Sequence, residues 1–112
     1  MIRVVMLAGP FIDDPDGNKV KFEKANLELW QAGFFGFNPI ANGMPMFGVI
    51  PEAVFRERDL WIVERMDALL MMTGWEESNG AQREHKEALR LGKPVFYSLD
   101  ALLNCARALE KE

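Results

Sequence analysis

Residues 74–84, with the sequence GWEESNGAQRE, join a short apolar run to a helix through a turn of small residues. Ser78 is a favourable N-cap residue, and a helix that starts after it carries Ala81 and Ala88 on its apolar side. Glu84 follows Ala81 by three positions and precedes Ala88 by four, so the helical period places it on that same side. A carboxyl group on an apolar face requires either a partner or a function.

The length and composition of the chain predict one soluble domain. It has 112 residues, of which 49% are hydrophobic and 27% are charged, and these values are ordinary for a globular protein. We therefore expect residues 1–112 to form a single domain. The net charge of -4 gives no indication of a broad nucleic-acid-binding or membrane-binding surface.

Cysteine and histidine usage argues against a disulfide and a metal centre. Cys105 is the single cysteine and His85 the single histidine, so no internal disulfide can form and neither a metal nor a cofactor is expected. Cys105 lies in an apolar segment and is interpreted as a packed thiol. Met1–Leu7 is too short for the apolar region of a signal peptide, and the run Ala68–Met72 cannot span a bilayer. We therefore expect a cytoplasmic protein.

Four short apolar runs alternate with four helical patterns along the chain. The predicted strands are Ile2–Leu7, Phe34–Phe37, Asp67–Met72 and Val95–Tyr97, with Asp67 interpreted as a turn or cap residue. The predicted helices are Lys19–Ala32, Glu52–Met66, the helix that follows Ser78 and ends at Gly92, and Asp100–Leu109. This alternation is typical of an α/β fold. It predicts a small, doubly wound, flavodoxin-like parallel sheet of about four strands, with helices on both faces and the first and third strands side by side.

Two turns follow the first and third predicted strands, and we expect them to adjoin at one edge of the sheet. They are Ala8–Pro10 and Thr73–Gly80. Open α/β sheets bind ligands at the carboxyl ends of their strands, and the turn that contains Gly9 and Pro10 allows a ligand to approach the backbone. A plain strand-to-helix turn is the alternative interpretation of Ala8–Pro10.

Two segments rich in turn-forming residues are predicted to lack regular structure. Asp13–Asn18 is interpreted as an exposed turn. Asn38–Pro51 is interpreted as a long loop, in which Met44, Met46 and Phe47 favour a role as a pocket wall. A packed surface loop is the alternative.

A second acidic residue lies on an apolar helical face. In the predicted helix Glu52–Met66, Asp59 follows Phe55 by four positions and precedes Ile62 by three. Two carboxyl groups in one cleft allow one to act as a nucleophile and the other to handle a proton, as at glycosidic centres. The alternative is that Asp59 and Glu84 are structural, either hydrogen-bonded in the core or paired with an arginine. The candidate arginines are Arg56, Arg58 and Arg83.

The predicted helix start at Ser78 is suited to an anion. Free N–H groups and the positive end of the helix dipole lie there, Ser78 offers a hydroxyl donor, and Gly80 permits close approach. The alternative is that Ser78 only caps its helix. Trp75 is interpreted either as a ring that stacks on a base or as a packing residue.

Three separated motifs occur in order along the chain. They are Leu7-Ala8-Gly9-Pro10-Phe11, Arg58-Asp59-Leu60, and Ser78-x-Gly80-x-x-x-Glu84 followed by Ala88 and Leu91-Gly92-Lys93-Pro94-Val95. Together they resemble the nucleoside 2-deoxyribosyltransferase family and its relatives, the 2-deoxynucleoside 5'-monophosphate N-glycosidases, over nearly the whole chain. The form of residues 74–84 is most similar to a small, largely uncharacterised phage and bacterial branch of that superfamily.

The resemblance implies a role for each matching residue. Glu84 corresponds to the nucleophile that attacks the anomeric carbon, and Asp59 to the acid that orients or protonates the base. Ser78 and Gly80 match the segment that holds the 5' end of the sugar, where the transferases tend to carry Asp and the monophosphate hydrolases Ser. The implied substrate is therefore a nucleoside 5'-monophosphate, with water as acceptor. A homodimer or larger assembly is also implied, with Ser98 as the candidate residue for a site completed between subunits.

The sequence departs from this family beside the nucleophile. Arg83 precedes Glu84 where the family often has an aromatic or apolar residue, and His85 follows it where a small or apolar residue is common. Two other classes of function therefore stay open: a non-catalytic nucleotide-binding or signalling module that uses the same cleft, and a structural protein whose acids are satisfied core groups. The expected partner is a small nucleotide or nucleoside, and neither a nucleic acid nor a membrane.

Overall fold

A parallel sheet forms the centre of the molecule. The computed structural model describes residues 1–46 and 48–110, with the backbone alone for Met44. The strands in these ranges are β1 (Val4–Ala8), β2 (Phe35–Phe37), β3 (Ala68–Met71) and β4 (Val95–Phe96). Their order in the sheet is β2-β1-β3-β4, and all three pairings are parallel. The predicted pairing of the first and third strands is thus confirmed.

Helices cover both faces of the sheet. They are α1 (Pro15–Gln31), α2 (Pro39–Gly43), α3 (Glu52–Val63), α4 (Asn79–Arg90) and α5 (Leu99–Glu110), with short 3-10 helices at Met44–Met46 and Trp75–Glu77. Alternate residues of β1 face opposite layers, because side chains alternate along a strand. Val5 and Leu7 pack with residues of α1 and α5, whereas Met6 and Ala8 pack with residues of α3 and α4. This arrangement confirms the predicted doubly wound α/β fold.

Helix α1 begins four residues earlier than the predicted Lys19, at Pro15. Asp14 is its N-cap, and the Asp14 carboxylate accepts a hydrogen bond from the Gly17 N–H at 3.2 Å. Proline suits the first helical turn because it has no N–H to satisfy. The prediction that Asp13–Asn18 is an exposed turn is therefore wrong in part. Asn18 is buried, and its amide donates to the Phe11 carbonyl and the Asp13 carboxylate at 3.2 and 2.7 Å.

Helix α2 lies in the segment predicted as a long loop. The Asn38 side-chain oxygen accepts from the N–H groups of Ile40 and Ala41, at 3.1 and 3.3 Å, and so caps the helix that begins at Pro39. The same pattern of a capping residue followed by proline thus starts both α1 and α2. Asn38–Pro51 is therefore not a loop throughout, because a proline in the first turn of a helix does not interrupt it.

Asp67 ties the start of β3 to the start of β1. Its carboxylate accepts from the N–H groups of Arg3 and Val4 at 2.8 and 2.9 Å, as expected of a cap residue. The hydrogen bond from Val4 is the main cause that holds the pKa of Asp67 below its ordinary value. Within the ranges that the structure describes, no helix is long and apolar enough to cross a membrane.

Candidate active site

The turns after β1 and β3 are in contact, as predicted for the carboxyl edge of the sheet. The Met72 N–H donates to the Ala8 carbonyl at 2.8 Å. A Cβ atom added at Gly9 would lie 2.8 Å from the Met72 Cβ, closer than side chains pack, so Gly9 has to be a glycine. Gly74 has a positive φ of 89° and lies against Pro10. The two turns therefore form one continuous floor at this edge.

A cleft of about 810 Å³ opens above this floor, bounded by the helices α1 to α4. Its volume is in the range of small-molecule sites. The predicted site residues that line it are Gly9, Pro10, Asp59, Ser78, Gly80 and Glu84. Met46 also lines the cleft, as predicted for a pocket wall, whereas Phe47 and the side chain of Met44 lie outside the described residues.

Glu84 is buried in the wall of the cleft and has no hydrogen-bond partner in the part of the chain that the structure describes. Its side chain comes from the inner face of α4 and only 8% of the residue is exposed. Its Oε2 atom has no partner among the described residues. Burial, with a smaller contribution from the charge of Asp59, raises the pKa of Glu84 to about 8. At neutral pH, Glu84 is therefore mostly protonated.

Asp59 provides the second carboxyl group from α3. It is half-buried, and burial raises its pKa to about 6. Neither acid forms an ion pair with an arginine: in the described part of the chain, the side-chain pairs are Arg56 with Glu52, Arg65 with Glu64 and Arg90 with Glu87. The alternative in which arginines neutralise the two acids is thus not observed. The cleft instead holds two acids that differ in pKa, an arrangement suited to acid and base chemistry.

The first turn of α4 faces the same cleft. The Ser78 Oγ accepts from the Ala81 N–H at 3.2 Å, so Ser78 is the N-cap that the sequence predicts. Its hydroxyl hydrogen can still donate to a ligand. The N–H groups of Asn79 and Gly80 have no acceptor among the described residues, and a Cβ added at Gly80 would meet no atom within 4 Å. This turn can therefore donate several hydrogen bonds to an anion.

Trp75 does not line the cleft. Its ring stacks on His85, with centroids 4.3 Å apart, and lies 6.0 Å from the ring of Tyr97. The His85 Nε2 and the Tyr97 hydroxyl are hydrogen-bonded at 2.8 Å. The structure thus shows the packing interpretation of Trp75, because the 3-10 helix Trp75–Glu77 turns its ring toward β4. We leave Trp75 out of the proposed site.

Several residues that the sequence did not assign to the site also line the cleft, among them Arg83 and Asn18. Arg83 precedes Glu84 on α4, and Asn18 lies in the first turn of α1. The sequence Asp14-Pro15 is typical of a helix start, and a helix predicted from Pro15 would have located Asn18 in its first turn, at the edge of the sheet where the site lies. Ser98 does not line this cleft: its Oγ accepts from the Ala101 N–H at 3.1 Å and caps α5. No group of three potential metal ligands occurs in residues 1–46 and 48–110.

Comparison with known families assigns the chain to one of them. A family model described as "Domain of unknown function (DUF4406)" matches residues 3–97, which is most of the chain. The chain belongs to the DUF4406 family. The DUF4406 match includes both acids, the turn at Gly9 and the first turn of α4, and ends before α5.

A solved structure has the same fold as this DUF4406 chain. It is a 2-desoxiribosyltransferase from Leishmania mexicana, with a TM-score of 0.64 and 18% sequence identity over 83% of this chain. The chain covers 61% of that enzyme's length. At 18% sequence identity, this structural similarity shows a shared fold and nothing finer. A search of curated proteins finds none that matches the chain.

Proposed function

We propose that this DUF4406 protein cleaves the N-glycosidic bond of a nucleoside 5'-monophosphate through a covalent intermediate on Glu84. The observation that carries the proposal is a buried carboxyl group without a partner, in a cleft that holds a second acid, Asp59. Because burying such a group without a partner is costly, its retention supports a functional role. The fold shared with a 2-desoxiribosyltransferase adds support.

In the first step, the Glu84 carboxylate attacks the anomeric carbon of the sugar. The bond between that carbon and the base nitrogen breaks, its electron pair leaves with the base, and protonated Asp59 supplies a proton to the base. In the second step, water attacks the same carbon and releases Glu84, while Asp59 takes the proton from the water. A second base in place of water would give glycosyl transfer instead of hydrolysis.

Of the two acids, the reaction requires Asp59 to be protonated and Glu84 to be ionised. When the pair holds one proton, the higher pKa of Glu84 places it mostly on Glu84. The reactive arrangement is therefore a minor form of the singly protonated pair. The Glu84 carboxylate stabilises the positive charge that develops on the sugar in the transition state, so the reaction proceeds through this form. The 5' end of the substrate lies against Ser78 and the free N–H groups of Asn79 and Gly80.

Release of free base from a panel of nucleosides and their 5'-monophosphates, followed by chromatography, tests this proposal. Glu84→Gln keeps the shape of the side chain but removes the nucleophile, so we expect a loss of about 10³-fold or more. Glu87→Gln is the matched control, because Glu87 lies on the same helix outside the cleft and pairs with Arg90.

Two outcomes would contradict the proposal. Base release that persists at the wild-type rate in Glu84→Gln removes Glu84 from the mechanism. Tight binding of a monophosphate without base release from any substrate identifies a non-catalytic nucleotide-binding module that uses the same cleft.

A further inference from the structure

Each of the two acids in the cleft, Asp59 and Glu84, is directly preceded in the sequence by an arginine. The pairs are Arg58-Asp59 on α3 and Arg83-Glu84 on α4, and all four residues line the cleft. Neighbours on a helix point about 100° apart, so the acid and the arginine of a pair occupy different parts of the cleft. Glu84 is buried, whereas Arg83 is half-buried and Arg58 is exposed. Asp59 is half-buried, so within each pair the acid is more buried than the arginine that precedes it.

Arg83 has no partner within residues 1–46 and 48–110, although it is partly removed from solvent. It takes part in none of the ion pairs or side-chain hydrogen bonds among the described residues. Arg56 lines the same cleft but is committed to Glu52, at 2.5 Å. A half-buried guanidinium loses part of its hydration, and its five donors favour a planar anion or a phosphate. Arg83 is therefore a free cation at a site that has room for a ligand.

Helical geometry brings Arg83 close to the other free donors of the cleft. It follows Gly80 by three positions on α4, and residues with this spacing are neighbours on one face. Side chains on a helix lean toward its N-terminus, and the space beside Gly80 is open. The guanidinium can therefore reach the first turn, where Ser78 and two N–H groups are available. The unpartnered carboxyl group of Glu84 lies four positions after Gly80 and marks the reacting end of the same cleft.

We propose that Arg83 determines substrate specificity by binding the phosphate dianion at the 5' end of the substrate, together with the first turn of α4. This inference rests on the proposed function for the identity of the substrate. A phosphate monoester is largely dianionic at neutral pH, and a guanidinium binds two of its oxygens at once. Arg83 thereby favours the 5'-monophosphate over the unphosphorylated nucleoside.

The kinetic test compares one nucleoside with its own 5'-monophosphate in wild type, Arg83→Gln and Arg56→Gln. We expect Arg83→Gln to lower kcat/KM for the monophosphate by about 10- to 100-fold, the effect of losing a charge-assisted hydrogen bond, and to leave kcat/KM for the nucleoside nearly unchanged. We expect Arg56→Gln to retain the preference for the monophosphate. An equal loss for both substrates in Arg83→Gln, or an unchanged preference, overturns the inference.

A binding measurement separates this inference from the proposed function. Calorimetric titration with the same nucleoside and its 5'-monophosphate does not depend on turnover when it is done in the Glu84→Gln background. If Arg83→Gln weakens binding of the monophosphate by about 10- to 100-fold and leaves nucleoside binding unchanged, Arg83 is the phosphate ligand even if wild type releases no base. If monophosphate binding does not change, the role of Arg83 is refuted whatever the activity.

Discussion

Glu84 and Asp59 titrate in different ranges although they share one cleft. Their pKa values are raised to about 8 and about 6, in both cases chiefly by burial. Below about pH 6 both acids hold a proton, so the nucleophile is lost. Above about pH 8 both are ionised, so no proton is available for the leaving base. We therefore expect kcat/KM for base release to follow a bell-shaped curve with a maximum near pH 7, measured from pH 5 to 9.

The variant Asp59→Asn tests which acid is responsible for each limb of this curve of kcat/KM against pH. Asparagine cannot give a proton to the base, so the rate falls and the alkaline limb disappears. The remaining acid limb is then the titration of Glu84 alone. Loss of the Asp59 charge lowers the pKa of Glu84 from about 8, but burial, the larger cause, remains, so the acid limb moves from about pH 6 to a higher pH. A bell-shaped curve that is unchanged in Asp59→Asn would exclude Asp59 as the proton donor.

At the scale of single residues, the sequence predicted which helical face a side chain lies on better than it predicted which groups that side chain contacts. The helical period located Glu84 and Asp59 on inner faces, because that depends only on spacing. It did not predict that Arg56 pairs with Glu52 while Arg83 pairs with no group among the described residues. Glu52 and Arg56 lie four positions apart on α3, a spacing that permits an ion pair. Which of several possible partners an arginine binds depends on side-chain conformation, which one sequence does not specify.

Two helices of this protein start with serine caps of the same geometry, and this provides a matched experiment. The oxygen of Ser78 accepts from the N–H three residues ahead at 3.2 Å, and that of Ser98 does so at 3.1 Å. We expect Ser78→Ala and Ser98→Ala each to lower the free energy of unfolding by about 1 kcal/mol, measured by urea denaturation. Only Ser78 lines the cleft, so only Ser78→Ala is expected to weaken binding of a nucleoside 5'-monophosphate.

Equal effects of the two serine variants on binding would show that Ser78 acts only as a cap. Reduced binding in Ser78→Ala alone, with equal losses of stability, would assign its hydroxyl to the ligand. Because both variants delete the same group at the same helix position, a general effect on folding cannot produce this difference.

At the scale of elements, the helix starts account for most differences between prediction and structure. The pairs Asp14-Pro15 and Asn38-Pro39 each begin a helix, although aspartate, asparagine and proline are also common in turns. The later boundaries differ by only a few residues, as is usual for helix ends. The site residues at strand ends were predictable from the fold alone. The direction of Trp75 was not, because it depends on the positive φ of Gly74 and on the 3-10 helix that follows.

The stability of the whole molecule depends on pH through Glu84. Its pKa is raised from an ordinary 4.5 to about 8, so the folded protein holds a proton that the unfolded chain has released. This contribution is fully present below about pH 4.5 and is lost as pH rises to about 8. Glu84→Gln is neutral at every pH. We therefore expect it to be more stable than wild type above pH 8, by a few kcal/mol, and to differ little near pH 4.5.

Urea denaturation at pH 5, 7 and 9 measures this difference, with Glu87→Gln as the control for loss of a carboxyl group on the same helix. A Glu84→Gln protein that is less stable than wild type at all three pH values would indicate that Glu84 has a structural role. Increased stability with loss of base release would show that the protein retains a destabilising group for its function.

The central strand pair also has a consequence for how the molecule folds. Asp67 binds the N–H of Val4 across 63 residues of chain, and β1 and β3 are paired beside it. Pairings this distant in sequence close large loops and are slow to form. The first half of the chain contributes Gly9, whereas both acids come from the second half. We therefore expect the cleft to arise only when this pairing is complete, and a chain that lacks β3 to release no base. In a refolding experiment, we expect the proposed base release to return only together with the native state.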